Sequence, residues 1–239
     1  MISHYPIGRI LFRLSIQIKR LSLLEGVRDP RAIENMWLMK NLGVIGKGSS
    51  VLDVGCAESL LSHELIGRGF RVFGLDLRDY PFMNKLMFFV KRNVIDTKLP
   101  SDFFDGILVI STIEHVGLQA YGQCMRDLDG DIEALKELKR ILKPHGVIAL
   151  TTPYLGDTPL RISGNFERRY NKQRLEKLMS GFKLLREDYF YPYIQKGIQY
   201  LRISKERVNR LTFQEEPGLA CIIMQKERET TTTQKICST

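Results

Sequence analysis

Two acidic residues lie at the ends of two successive apolar segments. Asp53 is near the end of segment 51–54, and Asp76 closes segment 71–75, 23 residues further on. Between them, residues 55–59 are small enough for a turn where a ligand can approach free N–H groups. An acid after the second strand accepts hydrogen bonds from a ribose diol, although it can also cap the next helix. The spacing therefore predicts a site for a nucleoside-containing cofactor.

A second polar cluster follows the apolar segment 106–110. Ser111 and Thr112 come first, followed by Glu114 and His115. The carboxyl ends of parallel strands meet at one edge of a sheet, so we expect this cluster to lie beside the two acids. The ordinary pKa of histidine suits a general base at neutral pH, which makes His115 the best candidate. The competing interpretation is that His115 orders the loop or caps a helix.

The elements that must position these residues alternate between strand and helix along the chain. Apolar periodicity predicts strands over 51–54, 71–75, 88–92, 106–110, 147–151, 183–191 and 219–225, and helices over 32–42, 58–68, 131–142 and 171–179. Such alternation is typical of a parallel sheet with right-handed crossovers. Residues 155–170 and 192–217 have no clear period and are predicted to be loops or short helices near the site.

Composition places the chain among ordinary folded proteins. Its 239 residues are 44% apolar and 26% charged. No apolar run approaches the length of a membrane span, which argues against an integral membrane protein. Nothing at the N-terminus reads as a secretory signal. Four cysteines without a C-x-x-C pair predict neither a zinc site nor a disulfide framework, so a cytosolic location is the expectation.

The net charge of +9 is concentrated in two zones. Residues 1–28 carry five basic side chains and one acid, and residues 161–186 carry eight basic side chains and two acids. This distribution predicts an anionic partner, whether a phosphorylated substrate, nucleic acid or a membrane surface, unless these are solvated helix faces. Residues 1–29 read as a basic amphipathic helix that either packs on a protein surface or contacts a membrane through residues 1–24. Residues 227–239 are predicted to be a disordered tail.

Three motifs resemble those of the class I S-adenosylmethionine-dependent methyltransferases. They are Phe104-Asp105, Glu114-His115 and Leu142-Lys143-Pro144-His145-Gly146, within a resemblance that covers about residues 32–179. The chain is most similar to the small-molecule branch, the methyltransferase type 11-like proteins. Thr152-Pro153-Tyr154 and Arg169-Tyr170 further resemble methyltransferases found among glycan-synthesis genes. The resemblance implies a Rossmann-like, doubly wound α/β fold, with a mostly parallel sheet, helices on both faces and a C-terminal antiparallel strand.

The resemblance also implies S-adenosylmethionine as the cofactor. Asp76 would hold the ribose hydroxyls, Leu77 would pack on adenine, and Asn93 would accept from the adenine amino group. One position departs from the family, because its G-x-G-x-G reads Gly55-x-Ala57-x-Ser59 here. Alanine costs about 1 kcal/mol if that position requires a positive φ. The residues expected around the cofactor are Asp53, Gly55, Cys56, Ala57, Asp76, Leu77, Asn93, Val94, Ser111 and Thr112.

The function implied is methyl transfer, most simply to an oxygen of a sugar, glycan or other small anionic acceptor. His115 is the expected base, with Glu114 to orient it, and no metal is predicted. A single domain over 30–226 would carry a substrate cap around 154–217. The expected substrate contacts are Tyr154, Arg161, Arg169 and Tyr170. Competing interpretations are an RNA methyltransferase, a non-catalytic nucleotide-binding protein and, least supported, an NAD-dependent oxidoreductase. The expected location is cytoplasmic, with membrane association left open.

Overall fold

An eight-stranded mixed sheet forms the centre of the molecule. The computed structural model describes residues 30–82, 84–123, 126–194, 198–211 and 217–228. The strand order is β3-β2-β1-β4-β5-β10-β8-β9, and β6 and β7 form a separate two-stranded hairpin. The strands are β1 (Ser50–Val54), β2 (Arg71–Asp76), β3 (Met87–Lys91), β4 (Phe104–Ile110), β5 (Leu142–Tyr154), β6 (Arg161–Ser163), β7 (Glu167–Arg169), β8 (Phe182–Ile194), β9 (Ile198–Ile203) and β10 (Gly218–Lys226).

Helices cover both faces of this sheet. They are α1 (Pro30–Asn41), α2 (Leu61–Gly67), α3 (Gly130–Ile141), α4 (Lys172–Leu178) and α5 (Lys205–Arg210). Alternate residues of each central strand enter two different cores, because successive side chains of a strand point to opposite faces. Trp37 of α1 and Leu65 of α2 pack with Val51 in one core. Leu138 of α3 and Leu175 of α4 pack in the other.

The predicted fold class is confirmed. Strands β1 to β5 are parallel to one another, and β10 is antiparallel to both β5 and β8. The order reverses between β1 and β4, so the carboxyl ends of these two strands form the crevice where doubly wound sheets bind ligands. Pro30 occupies the first position of α1, where its missing N–H costs no hydrogen bond.

The segments predicted to be loops or short helices contain strands as well. The β6–β7 hairpin lies within 155–170, and β9 lies within 192–217 beside the short helix α5. Among the described residues, β9 pairs only with β8 at the sheet edge, where partial exposure weakens the apolar alternation that predicts a strand. The predicted helix over 1–29 and most of the predicted tail lie outside the described residues. Within the described ranges, no helix is long and apolar enough to cross a membrane.

Candidate active site

The turn after β1 can be built only around a glycine at position 55. Gly55 has a φ of 76°, and a Cβ there would lie 2.4 Å from the Thr112 Oγ1. That hydroxyl lies 3.1 Å from the Val54 carbonyl oxygen and 2.9 Å from the Ile110 carbonyl oxygen. Since Val54 ends β1 and Ile110 ends β4, the threonine ties together the two strands that flank the crevice.

The departure from G-x-G-x-G is accommodated without backbone strain. Ala57 is not among the residues with a positive φ, so the cost expected for alanine does not arise. The Ala57 N–H instead donates to Asp76 Oδ2 at 2.9 Å. Ser59 has an extended φ of −124°, and its hydroxyl accepts from the Leu61 N–H at the start of α2. The two non-glycine positions therefore help to shape the turn.

A cleft opens at the carboxyl edge of β1, β2 and β4. The side chain of Asp76 reaches it with Oδ2 accepting from the Ala57 N–H and Oδ1 accepting from the backbone N–H and the Nε of Arg78. A carboxylate has about four acceptor positions, so one remains for a ribose hydroxyl. The predicted cofactor residues that line the cleft are Gly55, Asp76, Leu77, Asn93, Val94, Ser111 and Thr112.

Three predicted cofactor residues do not line this cleft. Asp53 is 2% exposed, accepts from the Ser62 hydroxyl at 2.7 Å and lines an adjoining cavity. Burial raises the pKa of Asp53 to about 7. The Cys56 side chain is fully buried beside Tyr80 and Met87, so it is a packing residue. Ala57 contributes its N–H to Asp76, as described above.

His115 lies where the cleft meets a second cavity. It lines both, and the second cavity also contains Glu114, Phe166 and Arg169. His115 Nδ1 is 2.7 Å from the Phe166 carbonyl oxygen. A carbonyl can only accept, so this contact assigns the proton to Nδ1 and leaves the Nε2 lone pair available. The ring also meets Tyr121 edge-on, with 5.1 Å between ring centroids.

Burial favours the uncharged forms of both predicted catalytic residues. Desolvation lowers the pKa of His115 below its ordinary value, against the opposing effect of the Phe166 carbonyl. Desolvation also raises the pKa of Glu114 well above its ordinary value. The Glu114 side chain is 2% exposed, and its Oε2 has no hydrogen-bond partner within the described part of the chain. Burial therefore shifts each of these two neighbouring residues toward its uncharged form.

The structure corrects two of the predicted substrate contacts. Tyr154 and Tyr170 are 0% exposed and belong to the core. The Tyr154 hydroxyl donates to Asn209 Oδ1 at 2.7 Å, and the Tyr170 hydroxyl donates to Asp131 Oδ2 at 2.9 Å. Both hydroxyls are engaged inside the protein, as buried tyrosines usually are, so neither residue reaches an acceptor.

The two predicted substrate arginines occupy different environments. Arg169 lines the second cavity and pairs with Glu167 at 2.8 Å. Arg161 is exposed on β6 opposite Arg169 and lines neither the cleft nor the second cavity. Directly paired residues of an antiparallel hairpin share a face, so the two arginines differ in which strand lies nearer the cavity, and nothing in the sequence indicated which one that is.

Helix α1 contributes residues that the sequence analysis missed. Arg31 lines the cleft, the second cavity and the cavity that contains Asp53. One turn further, the buried Glu34 accepts from the Ser111 hydroxyl at 2.5 Å and from the Thr151 hydroxyl at 2.7 Å. Residues three apart lie on one face of a helix, so anchoring Glu34 also places Arg31. No local sequence pattern predicted these two residues, because α1 reaches the site through packing contacts with elements that are distant in the sequence.

Comparison with solved structures identifies the fold. The chain is similar to the 1,6-didemethyltoxoflavin-N1-methyltransferase of Burkholderia thailandensis, solved with 1,6-didemethyltoxoflavin and S-adenosylhomocysteine (16% identity, TM-score 0.58, 95% of this chain and 92% of that one). It is also similar to a SAM-dependent methyltransferase from Archaeoglobus fulgidus (19%, 0.59, 83% and 96%). A third similar structure is the N-methyltransferase NodS from Bradyrhizobium japonicum WM9, in complex with S-adenosylhomocysteine (11%, 0.54, 84% and 90%).

Sequence comparison gives a family as well. No curated protein matches the chain. One family profile, described as Caenorhabditis protein of unknown function, DUF268, matches residues 82–215, which is more than half of the chain. The protein therefore has the class I methyltransferase fold and belongs to the DUF268 family.

Proposed function

We propose that the protein is an S-adenosylmethionine-dependent methyltransferase. The observation that carries this proposal is the position of His115 at the junction of the cleft and the second cavity. The imidazole has its Nδ1 engaged with the Phe166 carbonyl, and burial lowers its pKa, so it is suited to accept a proton at neutral pH. A base at this position can accept the proton released when a ligand in the cleft reacts with a ligand in the second cavity.

The residues of the cleft fit the proposed cofactor. Asp76 would accept from the ribose hydroxyls, and Asn93 would accept from the adenine amino group beside Leu77 and Val94. Arg31 lines all three cavities and is placed to pair with the carboxylate of the cofactor's methionine part. When bound, the cofactor supplies an already activated methyl group, so the protein needs chiefly to align the acceptor and exclude water.

The proposed acceptor is a hydroxyl of a sugar, glycan or other small anionic molecule in the second cavity. A hydroxyl must lose its proton as it attacks, which is the role proposed for His115. Arg169 lines that cavity and would meet the anionic group. The carboxyl of Glu114, whose pKa is raised by burial, would exchange a hydrogen bond with an uncharged group of the acceptor.

Methyl transfer from a labelled donor into a cell extract tests the proposal. The extract is incubated with the protein and then fractionated into RNA, lipid, glycan and small-molecule pools. Label should enter the glycan or small-molecule pool and should fall sharply with the His115→Asn protein. The asparagine keeps a donor for the Phe166 carbonyl and removes the base. Label confined to RNA, or label unchanged in the variant, would reject the acceptor class or the role of His115.

A further inference from the structure

Arg78 links the cofactor cleft to the catalytic histidine through the ring of Tyr121. Its guanidinium lies 4.2 Å from the centre of that ring, close enough for a cation–π contact. The same ring lies edge-on to His115 and 5.1 Å from the centre of the Phe166 ring. Tyr121 lines both the cleft and the second cavity, so it forms part of the wall between them.

The other side of Arg78 is held by the acids of the cleft. Its Nη1 is 2.5 Å from Glu58 Oε1, and its Nε is 3.3 Å from Asp76 Oδ1. Glu58 follows β1, Arg78 follows β2 and Tyr121 follows β4, so one side chain connects the ends of three strands. A ligand that bonds to Asp76 must share this carboxylate with Arg78.

Tyr121 needs such a support, because its backbone has a φ of 52°. The left-handed region is uncommon for a residue with a side chain, and it persists where the surroundings determine it. The loop that carries Tyr121 is shaped by Gln123, which accepts from the Gly117 N–H at 2.9 Å and donates to the His115 carbonyl at 2.8 Å. The ring itself depends on its aromatic neighbours and on Arg78.

We propose that Arg78 is a positioning residue that couples occupation of the cofactor cleft to the acceptor side of the site by holding Tyr121 against His115. The inference rests on the proposed function, because it assumes a ribose at Asp76. A ligand that occupies the cleft beside Arg78 restrains its guanidinium, which in turn restrains the Tyr121 ring in the wall beside the base. The acceptor therefore meets a more rigid second cavity once the cofactor has bound.

Hydrogen exchange of the amides in 117–123, with and without saturating S-adenosylhomocysteine, tests this coupling. In the unmodified protein the ligand should slow exchange there by about tenfold, which lies within the range for a partly exposed cation–π contact. Arg78→Lys removes the planar guanidinium and Tyr121→Leu removes the ring, so each should reduce this effect to less than about twofold. Tyr121→Phe keeps a ring and should behave as the unmodified protein.

The outcomes separate the coupling from the function on which it rests. Failure of the unmodified protein to bind S-adenosylhomocysteine overturns both. Binding with equal protection in the unmodified protein, Arg78→Lys and Tyr121→Leu overturns the coupling alone. Loss of protection in Tyr121→Phe also overturns it, since the ring would then not be the connecting group. The melting temperature of each variant, measured without ligand, identifies any protein that is simply unfolded.

Discussion

His115 combines a fixed tautomer with a pKa lowered by burial. Replacing it with alanine should leave affinity for S-adenosylhomocysteine nearly intact, because the ring is expected to contact the acceptor. Turnover should fall by about 10² to 10⁴, the usual contribution of general acid–base catalysis. The rate of the unmodified enzyme should rise with pH as the imidazole loses its proton, with a midpoint below the ordinary histidine value of 6.5.

The pH–rate curve of His115→Ala should lack this rise, and His115→Asn should lack it as well. The asparagine variant should keep more thermal stability, because it retains a donor for the Phe166 carbonyl. A folded His115→Ala protein that keeps the rising limb would show that another group titrates and that His115 has a structural role.

The raised pKa of the buried Asp53 leads to a separate prediction about how stability depends on pH. Its pKa is about 7 in the folded protein against an ordinary value of 3.8, so the unfolded chain releases this proton more readily. The resulting penalty on folding is absent below pH 3.8, grows as pH rises and is complete above pH 7. Asp53→Asn removes it, with an upper bound of about 4 kcal/mol. The gain in melting temperature of the variant should therefore increase from pH 5 to pH 8, in the absence of ligand. A gain that stays constant over this range would contradict the folded pKa.

The loop after β4 depends on Gly117 for steric reasons. Gly117 has a φ of 75°, and a Cβ there would lie 2.1 Å from the Asp127 carbonyl oxygen. Gly122 has a similar φ of 83°, and apart from its chain neighbours no heavy atom of the described residues lies within 4 Å of its Cβ position. Gly122→Ala should cost about 1 kcal/mol of unfolding free energy from the backbone alone. Gly117→Ala should cost more, since the loop must also move away from Asp127. Equal losses in denaturant titrations of the two variants would show that the clash is relieved without cost.

The elements that the sequence could predict are those with a strong local pattern. The buried strands β1, β2 and β4 read as short apolar runs, and Asp76 and His115 could be placed because each lies immediately beyond such a strand. Arg31 and Phe166 could not be placed in the same way. Packing of α1 and of the β6–β7 hairpin brings them to the site across large sequence separations, and a local pattern carries no information about such contacts.

The two tyrosines that were predicted to contact substrate show a different limit of prediction from sequence. Tyr154 and Tyr170 belong to motifs that resemble a known family, yet both rings are core residues. An aromatic residue near an active site has the same sequence signature whether its ring faces the ligand or the protein interior. Only burial and the hydrogen bonds of the two hydroxyls distinguish these cases.

At the scale of the whole molecule, the basic zone over 161–186 is partly neutralised by acids from elsewhere in the chain. Arg174 pairs with Asp129 and Asp131, and Asp131 also lies 3.6 Å from the fully buried Arg168. Lys177 also pairs with Asp129, and Arg186 pairs with Asp188. Salt-dependent binding to RNA requires basic groups that can meet phosphates. These ion pairs therefore weaken the argument from net charge for an RNA substrate.

The N-terminal segment gives a prediction for the intact chain. Residues 1–24 are expected to pack on the protein, because most amphipathic helices bury their apolar face against a protein core. Deleting them should lower the melting temperature and leave binding to anionic phospholipid vesicles unchanged. An unchanged melting temperature together with lost vesicle binding would indicate a membrane anchor.

Calorimetric titration with S-adenosylhomocysteine tests directly whether the cleft binds the proposed cofactor, because it requires no knowledge of the acceptor. We expect one binding site per chain. Asp76→Ala should weaken binding by about 1.5–3 kcal/mol, the range for a charged hydrogen bond. Asp79→Ala provides a matched control, since the Asp79 side chain is 85% exposed, pairs with Lys91 and does not line the cleft. Absence of binding to the folded, unmodified protein would contradict the proposed cofactor. Equal affinity of the unmodified protein and Asp76→Ala would contradict the role proposed for Asp76.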